Sequence, residues 1–277
     1  MKPPPFEYIR ARSLEEALAA LAESGEDAKP IAGGQSLVPA LTMRLVRPSV
    51  LVDVNHAGLA EVSTNGDVRI GATVRQAALS NDKRIHPLVR RALPFVGHFV
   101  TRNRGTVGGS IAHADGAAEL PLCLVVLDGA VVAASRGGRR EIAATDFFVT
   151  HFCTTLGQGE LVVETRWPHA AEGEASAFEE LALRHGDFAQ SMAAVVLRRE
   201  AGRIVEARVG VGAVTERPTR LAEVEALLVG SSGVEAAADA GALAATLVDP
   251  PSTTHASASY LRALTGTLVA RAVERAQ

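Results

Sequence analysis

A glycine-rich stretch near the middle of the chain constrains its fold more than any other feature. It reads Thr106-Val107-Gly108-Gly109-Ser110 and follows Arg102-Asn103-Arg104-Gly105. Paired glycines let a backbone approach a ligand closely, and consecutive N–H groups with flanking hydroxyls suit a pyrophosphate. A glycine pair between apolar residues is more commonly a tight turn or a bulge at a strand end. The stretch alone therefore leaves both interpretations open.

A second glycine pair lies far upstream, in Ala32-Gly33-Gly34-Gln35-Ser36-Leu37. It stands between an extended segment and an apolar run, and it again offers a hydroxyl and an amide. We call residues 32–37 the first glycine loop and residues 106–110 the second glycine loop. Two such loops could close on one diphosphate from opposite sides. Neither has the spacing G-x-G-x-x-G, which disfavours a nicotinamide-binding Rossmann domain.

The composition indicates a globular chain that binds neither nucleic acid nor a bilayer. Its 277 residues are enough for two domains, and 47% of them are hydrophobic. The net charge of -3 and the 4% aromatic content argue against a nucleic-acid surface. No apolar run approaches the roughly 20 residues of a membrane span. The first residues lack the apolar core of a signal peptide, so we expect a cytoplasmic location.

The cysteine and histidine residues predict no metal centre on this chain. Cys123 and Cys153 are its two cysteines, whereas an iron–sulfur cluster needs about four thiolates, so any cluster must sit on a partner. We expect both to be reduced, mostly buried small residues. His113 with Asp115, and His151 with Cys153, lack further ligands at a metal-site spacing. No arrangement typical of a catalytic nucleophile is present, so no catalytic residue is predicted.

The N-terminal segment predicts alternating strands and helices. Ser13-Leu14-Glu15-Glu16 has the pattern of a capping box, and the helix it begins should end at Gly25. A strand over 30–32, a helix over 37–45 and a strand over 50–54 follow. This order is typical of parallel strand pairing.

The middle of the chain predicts an antiparallel sheet with helices. Asn65-Gly66 indicates a hairpin, and Thr73-Val74-Arg75-Gln76 has the pattern of a second capping box, with a helix following Thr73. The other predicted elements are a helix over 87–95, a buried helix over 117–127, a hairpin across Gly137-Gly138 and a strand over 160–167.

The C-terminal part begins after a small, charged segment at 170–174, which predicts a linker. We expect three strands and then three helices. The strands lie over 176–183, 191–199 and 204–214, and the helices over 221–229, 234–247 and 257–275.

The two glycine loops, together with three further motifs, resemble the FAD-binding medium subunit of the molybdenum hydroxylases. The motifs are His113-Ala114-Asp115, Ala117-Ala118-Glu119-Leu120-Pro121 and Arg184-His185-Gly186-Asp187-Phe188-Ala189. This is the carbon monoxide dehydrogenase and xanthine dehydrogenase flavoprotein family, and the resemblance covers essentially the whole chain. It implies an α+β fold: a PCMH-type FAD-binding domain over 1–173, made of two α/β subdomains (about 1–55 and 56–173), and a C-terminal domain over 174–277. The latter should contain a three-stranded antiparallel sheet and a helical bundle.

The resemblance also implies an oxidoreductase subunit that works inside a complex. A large subunit with a molybdenum–pterin centre hydroxylates the substrate, and a small subunit with [2Fe-2S] clusters passes the electrons on. The chain would receive them on FAD and deliver them to an external acceptor. The expected assembly is a dimer of heterotrimers.

The resemblance places the FAD site on both loops and on two further residues. Glu119 would bind the adenosine ribose, although an acidic residue in a first helical turn is also favoured by the helix dipole. Val162 would pack near the flavin or adenine. The implied cofactor-binding residues are Ala32, Gly33, Gly34, Gln35, Ser36, Leu37, Thr106, Val107, Gly108, Gly109, Ser110, Glu119 and Val162.

Two departures from the family pattern limit these assignments. Gly116 stands where proline is common, so we expect a looser approach to Glu119. Glu179 stands where some members have a flavin-contacting lysine, so that role is not transferred. His113 could reach the ribityl or phosphate region or could be a packed loop residue.

Two other classes of function stay open from the sequence. One is a stand-alone flavin oxidase of the vanillyl-alcohol-oxidase type, for which the chain looks too short. The other is a non-redox nucleotide-binding or scaffold module, in which both glycine loops are structural turns. Flavin in the protein purified with its partners would separate the last class from the others.

Overall fold

The computed structural model describes residues 2–276 as a mixed α/β molecule. The strands are β1 (Glu7–Arg10), β2 (Ala28–Ile31), β3 (Val50–Asp53), β4 (Val62–Ser63), β5 (Val68–Gly71), β6 (Ala130–Ser135), β7 (Gly138–Ala143), β8 (Phe148–Thr150), β9 (Cys153–Thr154), β10 (Leu161–Trp167), β11 (Glu174–Ala182), β12 (Ala189–Glu200), β13 (Arg203–Gly212) and β14 (Thr219–Arg220). The helices are α1 (Leu14–Ser24), α2 (Leu37–Thr42), α3 (Gln76–Leu79), α4 (Pro87–Ala92), α5 (Phe99–Arg104), α6 (Val107–His113), α7 (Glu119–Val126), α8 (Ala144–Phe147), α9 (Ala222–Leu228), α10 (Ala237–Leu247) and α11 (Ala258–Arg275). Among these described residues, no helix combines the length and the apolarity that crossing a bilayer requires.

The N-terminal unit is a three-stranded parallel sheet in the order β1-β3-β2, with α1 packed against it. The Ser13 hydroxyl accepts a hydrogen bond from the Glu16 N–H, and the Glu16 carboxylate accepts one from the Arg12 N–H. Gly25 ends the helix with a positive φ of 60°, which glycine adopts without steric cost. The predicted helix and the predicted parallel pairing are confirmed.

The second unit is a five-stranded antiparallel sheet in the order β4-β5-β10-β6-β7. Both predicted hairpins are present, and β10 lies at the centre of the sheet. Every residue of α7 is buried, because this helix contacts β12 and β13 of the C-terminal sheet and also α4 and α6. The predicted buried helix is therefore confirmed.

The predicted capping box at Thr73 is wrong. Helix α3 begins at Gln76, and Arg75 occupies the position that precedes it. Strand β5 ends at Gly71 and Thr73 lies in the turn that follows, where its N–H donates to the Leu59 carbonyl at 2.9 Å. The helix therefore begins only after this turn. The Thr73 hydroxyl is buried and has no hydrogen-bond partner among residues 2–276.

The C-terminal sheet has the order β11-β12-β13-β14, and its two faces cover different cores. The three predicted strands are confirmed, and the two-residue β14 adds a fourth. Successive strand residues point to opposite faces: Phe178 packs into the core shared with α7, whereas Ala177 packs into the core beneath α10 and α11. Glu174, which we expected in the linker, is the first residue of β11.

A buried polar cluster ties α4 to β11 and β13. His86 Nδ1 accepts the Leu88 N–H at 3.1 Å, so His86 Nε2 carries the proton and donates to Glu174 Oε1 at 2.6 Å. Arg208 donates to the other Glu174 oxygen at 2.7 Å. Burial opposes ionisation of Glu174, but the His86 hydrogen bond and the Arg208 charge outweigh it. The pKa of Glu174 therefore lies below its ordinary value of 4.5.

We expect Glu174→Gln to lower the free energy of unfolding by about 3 kcal/mol, because it leaves the buried Arg208 guanidinium without its countercharge. Denaturant unfolding near pH 7 measures the change. The control is Glu206→Gln, which removes an exposed partner of the same arginine and should cost less than about 1 kcal/mol. Since the pKa of Glu174 is lowered on folding, its contribution is lost as the pH falls below 4.5. Equal losses in the two variants would contradict the assignment.

Candidate cofactor site

The first glycine loop meets the residues just before the second glycine loop through the backbone of Gly33. A Cβ at this position would lie 2.8 Å from the Gly105 Cα and closer still to the Arg104 carbonyl oxygen. No side chain fits at such distances, so glycine is required for the approach. The structure thus brings the first glycine loop against the residues that immediately precede the second, as expected for loops that share one ligand.

The first glycine loop offers free backbone donors. Gly34 has a positive φ of 73°, and its carbonyl accepts the Val38 N–H at 2.9 Å. The Gln35 side chain donates to the Gly33 carbonyl at 3.1 Å. Within residues 2–276, the N–H groups of residues 33–37 have no protein acceptor. Consecutive unpaired N–H groups of this kind form an anion-binding concavity.

The second glycine loop differs from the prediction, because its N–H groups are already used inside the protein. Those of Val107, Gly108, Gly109 and Ser110 donate respectively to Val74 O at 3.0 Å, Ala72 O at 3.0 Å, Thr106 Oγ1 at 3.1 Å and Thr106 O at 3.1 Å. A Cβ on Gly108 would lie 2.6 Å from the Ala72 Cα, so this glycine is required by packing. The loop can therefore contribute a close backbone surface and the Ser110 hydroxyl rather than a row of N–H donors.

Val162 lies next to the point where the second glycine loop joins the sheet. It is 3% exposed in β10. The carbonyl of the following residue, Val163, accepts the Ala72 N–H at 2.9 Å, and the Ala72 carbonyl accepts the Gly108 N–H. Two hydrogen bonds thus connect the strand to the loop.

Glu119 is a buried carboxyl without a hydrogen bond from any other described side chain or backbone group. It is the first residue of α7 and is 8% exposed. Burial raises its pKa to about 7; its own N–H and Arg102 oppose the shift, and Asp115 adds to it. Among residues 2–276, no hydrogen bond connects Glu119 to either glycine loop. The structure therefore leaves its carboxyl available to a ligand.

Glu180 is a half-buried acid that the sequence analysis missed. Its Oε2 has no partner among the described residues, and burial, followed by the charge of Glu119, raises its pKa to about 8. The neighbouring Glu179 points to the other face of the sheet and forms an ion pair with Arg275. Glu179 is thus paired with the last residue of helix α11. Strand alternation after Phe178 was the sequence signal that could have indicated Glu180.

The segment before α7 is held by packing and backbone contacts. A Cβ on Gly116 would lie 2.5 Å from the His151 ring, and the Gly116 carbonyl accepts the Ala213 N–H at 2.7 Å. Glycine at position 116 therefore makes room for two tight contacts, while the predicted looser approach to Glu119 stays a prediction. The His113 ring packs against Phe152 with centroids 4.9 Å apart, and burial lowers the pKa of His113.

The two cysteines are free, as expected, but only Cys123 is buried, and Cys153 is exposed. No group of three or more potential metal ligands lies together within residues 2–276.

A polar chain between the loops was also missed. Asn55 Nδ2 donates to the Ala32 carbonyl at 2.8 Å, and Arg75 donates both to Asn55 Oδ1 at 2.7 Å and to the Arg104 carbonyl. The sequence analysis assigned Arg75 to a predicted capping box, so its position between the loops was not predicted.

We expect the free energy of unfolding of the flavin-free chain to fall as the pH rises through 7. The folded-state pKa of Glu119 is about 7 against an ordinary 4.5, so its contribution is complete below pH 4.5 and lost above pH 7. The loss should reach about 2–3 kcal/mol by pH 8. Glu119→Gln should make the profile less steep and leave the part contributed by Glu180, whose pKa is also raised, to about 8. Glu223→Gln, at an exposed first-turn position in α9, should leave the profile unchanged. Denaturant unfolding from pH 5 to 8 measures both. Identical slopes in Glu119→Gln and the wild type would refute the assignment.

Two family models together account for nearly the whole chain. The model described as "FAD binding domain in molybdopterin dehydrogenase" matches residues 4–170. The model described as "CO dehydrogenase flavoprotein C-terminal domain" matches residues 176–276.

Relatives match along the full length. The chain is 43% identical over 284 residues to the 6-hydroxypseudooxynicotine dehydrogenase complex subunit alpha of Paenarthrobacter nicotinovorans, covering 100% of this chain and 96% of that protein. It superposes on a chain of quinoline 2-oxidoreductase from Pseudomonas putida 86 with a TM-score of 0.95 and 39% identity, covering 100% and 98% of the two chains. Reconstituted CO dehydrogenase from Oligotropha carboxidovorans gives a TM-score of 0.96 and 35% identity, covering 100% and 99%.

These matches confirm the α+β fold and the resemblance indicated by the glycine loops. The first family model alone spans more than half of the chain, and the relatives align with it from end to end. The chain therefore belongs to the FAD-binding flavoprotein subunits of the molybdenum hydroxylases, the family of the CO dehydrogenase medium chain.

Proposed function

We propose that the first glycine loop supplies most of the hydrogen bonds to the FAD diphosphate and that the second glycine loop closes the site from the other side. The observation that carries this proposal is the row of N–H groups at residues 33–37, which have no protein acceptor among the described residues. The loop that carries them contacts the residues just before the second glycine loop, through Gly33. A diphosphate provides the missing acceptors. The loop residues concerned are Ala32, Gly33, Gly34, Gln35, Ser36, Leu37, Thr106, Val107, Gly108, Gly109 and Ser110.

Glu119 and Val162 complete the proposed site. The Glu119 carboxyl is buried and accepts no hydrogen bond from any other described residue, which suits the hydroxyls of the adenosine ribose. With its pKa near 7, it can accept or donate a hydrogen bond at neutral pH. Val162 provides a buried apolar surface beside the link between β10 and the second glycine loop. The donor set of the site therefore fits FAD.

The chain is the flavoprotein component of an oxidoreductase. When bound, FAD supplies the redox chemistry, taking electrons from [2Fe-2S] clusters on a partner subunit and passing them to an external acceptor. The residues of this chain bind the cofactor, orient it and set its electrostatic surroundings. Two cysteines, one buried and one exposed, are too few for a cluster, which agrees with clusters carried by a partner.

The proposed assembly joins this chain to a large molybdenum–pterin subunit and a small iron–sulfur subunit, as a dimer of heterotrimers in the cytoplasm. Relatives named as a medium chain or as a complex subunit support a multi-subunit enzyme. We place the boundary between the FAD-binding domain (1–173) and the C-terminal domain (174–277) between the two family matches, which cover 4–170 and 176–276.

Purification of the chain alone and with the products of neighbouring genes tests this function. We expect flavin absorption without iron or molybdenum in the chain alone, and all three cofactors in the complex. If flavin appears only in the complex, the chain needs its interface with the partner subunits to retain FAD. Absence of flavin from both preparations would refute the function and favour a non-redox nucleotide-binding or scaffold module. Substrate turnover by the chain alone would favour a stand-alone flavin oxidase.

Gly33→Ala should weaken FAD binding about tenfold or more, because the added Cβ forces the two loops apart. Titration of the flavin-free chain with FAD, followed by flavin fluorescence, measures the dissociation constant. Gly137→Ala is the matched control, since a Cβ there meets only Ser135 Oγ, at an ordinary 3.5 Å. An unchanged dissociation constant in Gly33→Ala would show that the contact between the loops is not needed for binding.

A further inference from the structure

Arg75 lies between the two glycine loops but belongs to neither. One guanidinium nitrogen donates to the Arg104 carbonyl, and the other terminal nitrogen donates to Asn55 Oδ1 at 2.7 Å. The Arg104 carbonyl is also the group that faces Gly33 at the contact between the loops. The guanidinium is therefore bonded to the atom against which the first loop rests.

Asn55 connects the same guanidinium to the first loop. Its Nδ2 donates to the Ala32 carbonyl at 2.8 Å and to Asp53 Oδ1 at 2.6 Å. Tyr8 in turn donates to the other Asp53 oxygen. These bonds fix the orientation of the Asn55 amide, since its nitrogen has two acceptors and its oxygen faces the arginine.

The backbone around Arg75 is held to the second loop on both sides. The Gln76 N–H donates to the Gly105 carbonyl at 3.0 Å, and the Val107 N–H donates to the Val74 carbonyl at 3.0 Å. Arg75 also forms an antiparallel bridge with Thr106. The position of the guanidinium is thus determined by the second loop, while its side-chain contacts reach the first.

Arg75 carries a charge that no described carboxylate pairs within 4.0 Å. The nearby Arg104 is also cationic, and burial followed by the Arg104 charge lowers the pKa of Arg75. The charge of Asp53 opposes this shift, but no described carboxylate contacts either guanidinium directly, so the repulsion between the two cations is only partly offset in the protein alone. A diphosphate placed at the first loop relieves this repulsion.

We propose that Arg75 is a positioning residue for the FAD diphosphate: its bonds to Asn55 and to the Arg104 carbonyl hold the two glycine loops at the separation that FAD requires. This inference rests on the proposed function, because it assumes that the loops bind FAD. The planar guanidinium reaches two acceptors in a fixed geometry, which a lysine ammonium cannot reproduce.

The test compares FAD dissociation constants of the full-length chain and three variants, measured by flavin fluorescence well below the unfolding temperature. Arg75→Met removes the charge and the donors, and Arg75→Lys keeps the charge. Arg84→Met is the matched control, since Arg84 also joins a side chain, Asp82, to a backbone carbonyl, that of Val62, but at an exposed site away from the loops. We expect both Arg75 variants to bind FAD about tenfold or more weakly and Arg84→Met to bind as the wild type does.

Two further measurements separate positioning from a general loss of stability. Below the unfolding transition, the affinity of the folded chain does not depend on how stable it is, so a merely structural role leaves the dissociation constant unchanged. Asn55→Ala combined with Arg75→Met should weaken binding no more than either change alone, because both remove the same bridge. At saturating FAD, the visible spectrum of Arg75→Met should match that of the wild type.

The outcomes distinguish the two proposals. If the wild type binds FAD and Arg75→Met binds it equally well, the role of Arg75 is refuted while the proposed function stands. Wild-type affinity in Arg75→Lys would also refute positioning, since charge alone would then suffice. If neither the wild type nor Arg84→Met binds FAD, alone or with the partner subunits, the proposed function fails and the role of Arg75 fails with it.

Discussion

The contact between Gly33 and the backbone of residues 104–105 is the constraint on which the candidate site depends. It brings together two segments about seventy residues apart in the chain, one following a parallel strand and the other preceding α6. The contact does not use the N–H groups of the first loop, which have no acceptor among the described residues. The N–H groups of the second loop donate instead to the carbonyls of Ala72 and Val74, just after β5, and to Thr106. The first loop thus offers free N–H donors, whereas the second loop is fixed by its own hydrogen bonds and packs beside the first.

Three glutamates of this chain show how burial and partners together decide the state of a carboxyl group. Glu174 is buried with a histidine and an arginine, and its pKa falls. Glu119 is buried and the nearby Glu180 is half-buried, both without such partners, and their pKa values rise to about 7 and 8. The first arrangement joins two parts of the fold, because an ionised carboxylate with both partners in place resists separation. The second leaves hydrogen-bonding capacity at the site, which is the condition for binding a hydroxyl-bearing ligand.

The C-terminal sheet contributes to the site without supplying either loop. Its face toward α7 carries Phe178 and Glu180, and its other face packs against α10 and α11. Since α7 is covered on this side as well as by its own domain, its first residue, Glu119, is held in a low-polarity environment. The raised pKa of Glu119 is therefore a consequence of the packing of both parts of the chain.

The sequence by itself determined most of the elements and the family, and it indicated both loops of the site. The capping box at Ser13, the alternation in the long strands and the apolar run of α7 are local signals, and each gave the correct element. The two glycine pairs identified the loops, because the backbone freedom of glycine is a property of the residue itself.

Tertiary structure decided which N–H groups are free, since the fold determines whether an acceptor lies within hydrogen-bonding distance of each N–H group. The same reason explains the error at Thr73: its N–H donates to the distant Leu59 carbonyl, the turn after β5 continues past it, and Arg75 is thereby placed between the loops. No local pattern could reveal that Arg75, Asn55 and Arg104 meet, because their contact depends on the packing of three segments that are distant in the chain.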